Sequence, residues 1–186
     1  MKSQLHKVLH PIAGRAMIEH LLASAAELSP ARSVVVAGHG RDQLEAQLGD
    51  RATIAVQDPQ LGTGHAVQQA QGALAGFDGD VLILYGDVPF VSAATMRMMI
   101  ERLHGADKPA VVVLGFEPAD TLAYGRVIAE GDRIVKMVEH KDASEAERAC
   151  RLCNSGLMAA RSDELFGLLA RVGNDNAAGE YYLVDV

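Results

Sequence analysis

Several features that would indicate a membrane, an exported protein or a nucleic-acid partner are missing from this sequence. No apolar run approaches the roughly 18 residues that span a bilayer, and residues 1–10 do not contain the apolar core of a signal peptide. The net charge is −7, with acidic residues scattered along the chain, whereas nucleic acids and anionic membranes attract positively charged surfaces. These absences favour a cytoplasmic protein with no nucleic-acid and no membrane partner.

Cysteine is also scarce. Cys150 and Cys153 are the two cysteines, and their C-x-x-C spacing suggests a zinc or redox site. Zinc would require two more ligands, and the nearest histidine, His140, has no second histidine at ligand spacing. A redox pair is typical of a strand-to-helix turn, whereas this pair precedes an apolar stretch. We interpret both thiols as incidental.

The remaining sequence is ordinary globular material in which strand and helix patterns alternate. With 186 residues, 49% of them hydrophobic, the chain can bury a substantial core. Strand patterns occupy residues 33–37, 53–56, 81–84 and 110–116, and helix patterns occupy 17–28, 65–75 and 93–103. Strands separated by helices of this length indicate βαβ units. The predicted fold class is α/β, a Rossmann-like, mostly parallel sheet flanked by helices.

The pattern changes in the second part of the chain. Residues 125–129 and 133–138 flank Glu130-Gly131-Asp132, which predicts a β-hairpin. Further elements are predicted at residues 143–149, 155–159 and 163–171. Ser162 is a candidate N-cap for the last helix. We expect a single domain over residues 1–186, in which the part after residue 116 forms a smaller substrate-binding half or lid.

The clearest functional signal is the segment 81–90. Its first four residues are apolar, which predicts a strand buried on both faces, and Tyr85-Gly86-Asp87 follows directly. Ligands of open α/β sheets bind beyond the carboxyl ends of such strands. Asp87 is therefore placed where a carboxylate can hold a divalent metal, and Gly86 allows a ligand to approach the backbone. An aspartate that simply opens a turn is the alternative.

Two other segments could bind a nucleotide. Gly62-Thr63-Gly64 opens a helix, where backbone N–H groups favour negative charge, although tight turns use such triplets as often. Gln57 follows a strand and offers an amide donor and an acceptor to a base edge, or is an exposed polar residue.

Three further polar residues have equally simple structural interpretations. Lys7 is a candidate phosphate ligand or a solvated lysine. Glu139 belongs to the run Glu139-His140-Lys141-Asp142, which could be a solvated charge cluster, and Asn154 could be a turn residue.

The order of these motifs distinguishes between the alternatives. The chain reads KVLHPIAG, QDPQLGTGHA, LYGDVP, YGRV, VEHKDA, NSGL and GEYYLVD in succession. This series closely resembles the uridylyltransferase domain of the bacterial bifunctional N-acetylglucosamine-1-phosphate uridylyltransferase/glucosamine-1-phosphate acetyltransferases, over nearly the whole chain. The resemblance implies a nucleotidyltransferase fold, a nucleotide-binding half over about 1–116 and a sugar-binding half over about 117–186.

The resemblance also implies a reaction and its cofactor. UTP and N-acetylglucosamine 1-phosphate would give UDP-N-acetylglucosamine and pyrophosphate, with Mg²⁺ as cofactor, in the synthesis of peptidoglycan precursors. The sugar phosphate would attack the α-phosphate directly, so no enzyme nucleophile is needed. Alignment and charge neutralisation by Mg²⁺, Asp87 and basic side chains would provide catalysis.

The same resemblance implies roles for individual residues. Lys7 is expected to contact phosphate and Asp87 to ligate magnesium, both as catalytic groups. Residues implied for nucleotide binding are Gln57, Gly62, Thr63, Tyr85 and Gly86, and those implied for the amino sugar are Gly125, Glu139 and Asn154.

The chain also departs from the family pattern. Family members begin with a strand and a glycine-rich loop of the form L-A-A-G-x-G-T-x-M, and Met1 stands at the methionine of that loop. The first strand of a doubly wound sheet is central, so its absence would leave two buried strand edges unpaired. We therefore predict that the sequence is a fragment, or that it fills this gap by other means.

The family's second magnesium ligand and its left-handed β-helix would lie beyond residue 186. Acetyl transfer is therefore not expected of this chain, and trimerisation is expected only in a parent protein with that β-helix. Four interpretations remain open. They are an active uridylyltransferase, an inactive fragment that binds UDP-N-acetylglucosamine, a poorly folded truncation product, and a sugar nucleotidyltransferase of another specificity.

Overall fold

Nine strands and six α-helices are present in the computed structural model, which describes residues 3–186. The strands are β1 (Pro11–Ile12), β2 (Arg15–Ala16), β3 (Val34–Ala37), β4 (Thr53–Val56), β5 (Asp80–Ile83), β6 (Val111–Phe116), β7 (Arg126–Glu130), β8 (Arg133–Val138) and β9 (Cys153–Arg161). The helices are α1 (Met17–Ala26), α2 (Arg41–Leu48), α3 (Thr63–Gln69), α4 (Ala93–Leu103), α5 (Glu145–Arg148) and α6 (Ser162–Leu169). Short 3₁₀ turns occur at Lys7–Leu9, Gly49–Arg51 and Leu183–Asp185. Met1, which the family pattern aligns with the end of the glycine-rich loop, lies outside the described residues.

Strand β9 is the centre of a five-stranded sheet. It pairs antiparallel with β5 on one edge and with β6 on the other, and near its start with β7, which forms a hairpin with β8. Because β5 and β6 both run antiparallel to β9, they run parallel to each other. Strands β3 and β4 form a separate parallel pair, with Val34 opposite Thr53. The predicted α/β class is confirmed, but the pairing in the described residues is mixed where a mostly parallel sheet was predicted: β3 and β4 pair in parallel, whereas the pairings of the five-stranded sheet are antiparallel. The reason is that β9 enters the sheet between two strands of the first half.

The sequence of β9 explains its central position. Leu157, Met158, Ala159 and Ala160 are all at most 2% exposed, so the strand is buried on both faces. A run of apolar residues that are mostly small is suited to a strand with helices on both sides. The predicted strand at 155–159 is therefore real, but longer at both ends.

Helix α4 covers one face of this sheet, at the bounds predicted for it. The Ser92 hydroxyl caps the helix by accepting a hydrogen bond from the Thr95 N–H. Met96 and Met99, with 0% and 2% exposure, pack in one cluster with Leu21 of α1 and Leu157 of β9. The helical spacing of these methionines thus serves the core.

The predicted role of Ser162 as an N-cap is wrong. Helix α6 begins at Ser162 itself, and its cap position is Arg161, which makes no capping hydrogen bond through its side chain. The Ser162 hydroxyl instead donates to the Phe77 carbonyl and accepts from the Gly79 N–H, each at 3.1 Å. It fixes the turn that leads into β5. Two other helices are shorter than predicted. Helix α3 ends at Gln69, whereas the prediction continued to residue 75, and α5 has four residues within the predicted range 143–149.

A cavity of about 590 Å³ separates β3 from β5. Within residues 3–186, β3 pairs only with β4, and β5 pairs only with β9. The cavity is lined by residues 34–36 of β3, residues 80–84 at β5, Ile18, Leu21, Leu22 and Ala25 of α1, and Ala66, Val67 and Ala70 of α3. We call it the interstrand slot. It corresponds to the two unpaired edges expected from the sequence.

In the part of the chain that the structure describes, none of the helices combines the length and the apolar character that a membrane crossing requires.

Candidate functional site

Lys7 and Asp87 form an ion pair at the carboxyl end of β5. The Lys7 Nζ lies 2.6 Å from the Asp87 Oδ2, and the two side chains are 59% and 36% exposed. An exposed pair of this kind contributes about 0–1 kcal/mol, because both charges remain hydrated. Either group can therefore exchange its partner for a ligand at little cost. The prediction that Lys7 and Asp87 act at one site is consistent with this geometry.

Gly86, directly before Asp87, packs closely against the residue that follows Lys7. A Cβ atom at Gly86 would lie 3.1 Å from the Val8 Cγ1. The turn therefore packs directly against the segment that carries Lys7, which explains how residues 80 positions apart in sequence meet.

Gln57 is almost completely buried and holds the loop between β4 and α3. Its backbone N–H donates to the Ala37 carbonyl, and its Nε2 donates to the Gly62 carbonyl at 2.9 Å. The same Nε2 lies 3.1 Å from the His65 Nδ1. Because the NH₂ group is used within the protein, the amide orientation is fixed and the Oε1 is the group that remains for a ligand.

The segment 181–183 covers the Gly62-Thr63-Gly64 turn. The Gly64 N–H donates to the Tyr181 carbonyl, and the Tyr181 N–H donates to the Leu61 carbonyl, both at 2.8 Å. The Leu183 N–H donates to the Thr63 Oγ1 at 2.9 Å. The start of α3 is thus occupied in part by the protein's own backbone. Of the backbone donors considered for an anion, the one at Gly64 is already used.

Tyr85 lies between the two groups of predicted site residues. Its ring packs on Gly156, where a Cβ atom would lie 2.7 Å from the Tyr85 Cε2. Burial raises the pKa of the Tyr85 hydroxyl, a hydrogen bond with the Thr63 side chain lowers it, and the Glu139 and Asp87 carboxylates raise it. The hydroxyl is therefore neutral at physiological pH and remains a hydrogen-bond donor.

Gly125, Glu139 and Asn154 come together at the ends of β7, β8 and β9. The Asn154 N–H donates to the Gly125 carbonyl at 2.9 Å, and a Cβ atom at Gly125 would lie 3.5 Å from both Glu139 carboxylate oxygens. The Asn154 Oδ1 accepts from the Gly156 N–H, so its Nδ2 is the group directed to other partners. The structure thus brings together the three residues for which the family resemblance implied sugar binding.

This second group has an acidic environment. Burial raises the pKa of the Glu139 carboxyl, and the charges of Asp142 and Asp185 raise it further. Burial also raises the pKa of Asp185, again with a contribution from Asp142. Mutual repulsion of this kind favours a ligand that brings hydrogen-bond donors over one that brings negative charge.

Arg126 is a buried residue that positions the loop beside the candidate site, and the sequence reasoning gave it no role. It is 2% exposed, and its guanidinium donates to the Thr121 hydroxyl at 2.9 Å, to the Tyr124 carbonyl, and to the Arg148 carbonyl at 3.3 Å. These bonds fix the loop that carries Gly125. A charged residue directly after Gly125, at the start of an otherwise apolar strand, was the sequence signal that could have identified Arg126. Tyr181 and Asp185 also lie near the candidate site, but no comparable sequence signal identified them.

Asp87 is the residue predicted to ligate magnesium. Residues 3–186 contain no group of three or more histidine, cysteine or acidic side chains arranged around a common point. A single carboxylate does not suit a cation held by protein ligands alone. It does suit Mg²⁺, which keeps several waters and binds through one or two carboxylates together with substrate phosphates.

The chain is similar in sequence to parts of longer bacterial proteins. It is 83% identical to the bifunctional protein GlmU of Novosphingobium aromaticivorans and 73% identical to that of Sphingopyxis alaskensis. Each match covers 100% of this chain and 41% of the relative. The chain therefore spans about two fifths of the length of these curated relatives.

Solved structures support the fold at low sequence identity. UDP-glucose pyrophosphorylase complexed with UDP-glucose superposes with a TM-score of 0.73 at 18% identity, covering 96% of this chain and 76% of that one. HddC from Yersinia pseudotuberculosis, complexed with GMP-PN, gives a TM-score of 0.69 at 15% identity, covering 99% and 76%. These likenesses establish the architecture alone.

The family follows from a direct match over most of the chain. Residues 1–150 match the MobA-like NTP transferase domain, a region that includes Lys7, the Gln57–Gly62 loop, Asp87 and Glu139. The match, the superposed folds and the ion pair at the carboxyl end of β5 agree, and the chain belongs to the MobA-like NTP transferase family.

Proposed function

We propose that this chain carries the substrate site of a uridylyltransferase that acts on N-acetylglucosamine 1-phosphate. The products would be UDP-N-acetylglucosamine and pyrophosphate, and the role would be the supply of cell-wall precursors. The observation that carries the proposal is the position of Tyr85 between the exposed Lys7–Asp87 pair and the Gly125–Glu139–Asn154 group. The similarity to GlmU proteins supports the same substrates.

Recognition of the base would depend on Gln57. Its Nε2 is held by the Gly62 carbonyl, so the free Oε1 can accept a hydrogen bond from a donor on the base edge. Uracil offers an imide N–H, which matches a fixed acceptor, whereas the corresponding ring nitrogen of cytosine is itself an acceptor and would be repelled. The geometry therefore favours uracil over cytosine.

The phosphates would be bound where Lys7 and Asp87 meet. Lys7 would leave Asp87 to contact phosphate, and Asp87 would be one ligand of Mg²⁺. The bound Mg²⁺ would neutralise charge on the triphosphate oxygens. A sugar 1-phosphate oxygen would then attack the α-phosphorus of UTP, the bond to the bridging oxygen would break, and pyrophosphate would leave.

The amino sugar would be bound by the Gly125–Glu139–Asn154 group. Glu139 can accept hydrogen bonds from sugar hydroxyls, and the Asn154 Nδ2 can donate to a sugar oxygen or an acetyl carbonyl. The absence of a side chain at Gly125 leaves space beside the Glu139 carboxylate, since a Cβ atom there would lie 3.5 Å from it. These groups are suited to an uncharged, hydroxyl-rich ligand.

Binding of UDP-N-acetylglucosamine without turnover is a second candidate. It is favoured by the interstrand slot, which reaches Thr63, Tyr85 and Gly86 and leaves one side of the proposed nucleotide site open. An open side reduces the number of groups that can align and neutralise the triphosphate.

Two measurements on the chain test the proposal. Pyrophosphate release is followed with UTP, N-acetylglucosamine 1-phosphate and Mg²⁺, and calorimetry measures binding of UDP-N-acetylglucosamine. Asp87→Asn should reduce release by roughly a hundredfold, because the negative charge is lost while the shape is kept. Asp42→Asn, at a side chain that is 91% exposed on α2, is the matched control.

Each outcome has a distinct meaning. Release that depends on Asp87 and on Mg²⁺ supports the transferase. Saturable binding without release supports the second candidate. Neither release nor binding, in a chain with a cooperative thermal transition, would exclude both.

A further inference from the structure

His65, in the first turn of α3, contacts two glutamine side chains through its two ring nitrogens. The His65 Nδ1 lies 3.1 Å from the Gln57 Nε2, and the His65 Nε2 lies 3.1 Å from the Gln69 Nε2. Gln57 follows β4, and Gln69 is the last residue of α3. Both contacts are made by amide NH₂ groups, which only donate hydrogen bonds. Each glutamine therefore requires an acceptor on the imidazole.

A neutral imidazole can accept only one of these two hydrogen bonds. One ring nitrogen carries the proton and donates, the other has a free lone pair and accepts, and a protonated imidazole has no acceptor at all. With the proton on Nε2, the His65 Nδ1 accepts from Gln57. With the proton on Nδ1, the His65 Nε2 accepts from Gln69. The two glutamines thus compete for one acceptor, and the position of the ring proton decides between them.

The surroundings of Gln57 favour the tautomer with the proton on Nε2. Gln57 is 9% exposed, and its amide cannot reverse, because the Oε1 would then face the Gly62 carbonyl to which the Nε2 now donates. A buried N–H left without an acceptor would lose its hydration and gain nothing in return. Gln69 is half-buried and already donates to the His65 carbonyl at 3.0 Å, so its second N–H can turn to water. Gln57 therefore has the stronger claim on the imidazole.

In that tautomer, a base placed against Gln57 meets an acceptor and no free donor. One Gln57 N–H donates to the Gly62 carbonyl and the other to the His65 Nδ1. The Gln57 Oε1 forms no hydrogen bond within residues 3–186 and is open to solvent. An amide with a free N–H could pair with either pyrimidine, because it can donate to a uracil carbonyl or to the ring nitrogen of cytosine. Without that N–H, uracil keeps its imide N–H as a donor to the Oε1, whereas the cytosine ring nitrogen has no donor.

We propose that His65 is a positioning residue that makes the site selective for uracil over cytosine, because its Nδ1 occupies the second N–H of Gln57. The inference rests on the proposed uridylyltransferase function for its choice of ligand. His65 acts through Gln57 and needs no contact with the base. Selectivity arises because the protein itself uses the donor that cytosine would require, which disfavours the wrong base and adds no contact to the right one.

Nitrogen-15 NMR of the free chain tests the tautomer without any ligand. The chain is labelled at both histidine ring nitrogens and the spectrum is recorded at pH 8, where imidazoles are generally neutral. The His65 signals, assigned by their loss in His65→Phe, should show a protonated Nε2 and an unprotonated Nδ1. A protonated Nδ1 would overturn the proposal whatever the chain binds. Because no nucleotide is present, this result does not depend on the proposed function.

Calorimetry with UDP-N-acetylglucosamine and its synthetic cytidine analogue, which differ only in the base, measures the selectivity. The wild-type chain should prefer the uridine compound. His65→Phe should reduce the ratio of the two affinities by roughly tenfold, because the freed Gln57 N–H can donate to cytosine. His65→Asn should restore most of the ratio, since its side-chain oxygen can accept from Gln57. Gln69→Leu removes the competing donor and should leave the ratio as high as in the wild type or raise it.

Gln68→Leu is the matched control. Gln68 lies on the same helix and donates to the Leu169 carbonyl at 2.9 Å, so this change removes a structural hydrogen bond that does not involve Gln57. It should leave the ratio unchanged. An unchanged ratio in His65→Phe, or an equal fall in Gln68→Leu, would overturn the role of His65 while the proposed function stands. If the wild-type chain binds neither compound, the proposed function fails and the role of His65 fails with it.

Discussion

Replacing Gly62 with alanine should separate the 181–183 segment from the loop that precedes α3. Gly62 has a φ of +112°, and a Cβ atom on it would lie 2.6 Å from the Tyr181 carbonyl oxygen and 2.9 Å from the Tyr181 nitrogen. Both are backbone atoms, so no side-chain rotation can relieve the contact. Either the loop or the segment has to move.

The magnitude follows from the bonds at risk. Three hydrogen bonds join the segment to the loop, through Tyr181 to Leu61, Gly64 to Tyr181 and Leu183 to Thr63. Each contributes about 0.5–1.5 kcal/mol to stability. Keeping them would instead require alanine at a φ that costs about 1–3 kcal/mol. We expect Gly62→Ala to lower the free energy of unfolding by about 2–4 kcal/mol.

Urea denaturation followed by circular dichroism measures this loss, and hydrogen exchange at the Gly64 amide reports the segment itself. Gly167→Ala is the control, because Gly167 lies within α6 and a Cβ atom there would meet nothing within 4 Å. That change should stabilise the chain by up to about 1 kcal/mol through helix propensity. If Gly62→Ala unfolds like the wild type and the Gly64 amide stays protected, the contact between the segment and the loop is not as described.

The remaining predictions concern the core and the acidic group. Met96→Ala should lower the free energy of unfolding by about 2–5 kcal/mol in urea denaturation, because the side chain is fully buried. Met98→Ala is the control and should have little effect, because that side chain is 54% exposed. Equal losses of stability in the two variants would contradict the packing of α4. The pKa of Glu139 is raised by burial and by Asp142 and Asp185, so its contribution to stability is present below pH 4.5 and is lost as pH rises through the folded pKa. Glu139→Gln should therefore stabilise the chain more at pH 8 than at pH 4, measured by thermal midpoint, and an equal effect at both values would refute the assignment.

Local elements of the fold were predictable because their signals are local. The apolar strand at 53–56 and the helix at 93–103 have the predicted bounds. The position of β9 was not predictable, since pairing of residues 158–160 with two strands far away in sequence has no local pattern. Its polar first residues also concealed its length.

The candidate site shows the same division. Asp87 at the end of an apolar strand follows from the sequence pattern, but its contact with Lys7 joins residues 80 positions apart and was not predicted. The family resemblance implied a role for each residue separately. The N-cap prediction for Ser162 failed because a hydroxyl that fits a cap can equally fix a distant turn. The contact between Tyr181 and the Gly62 loop is a tertiary contact, and no sequence pattern predicted it.

Strand β9 has a consequence for how the chain unfolds. It comes from the second half of the sequence, yet its hydrogen bonds are shared among β5, β6 and β7. Neither half can melt or be cut away without breaking the central ladder of the other, so a protease nick in the loop at 117–124 would leave the two pieces associated. The predicted division into a nucleotide half and a sugar half concerns ligand binding, whereas the shared sheet leads us to expect a single cooperative unfolding transition.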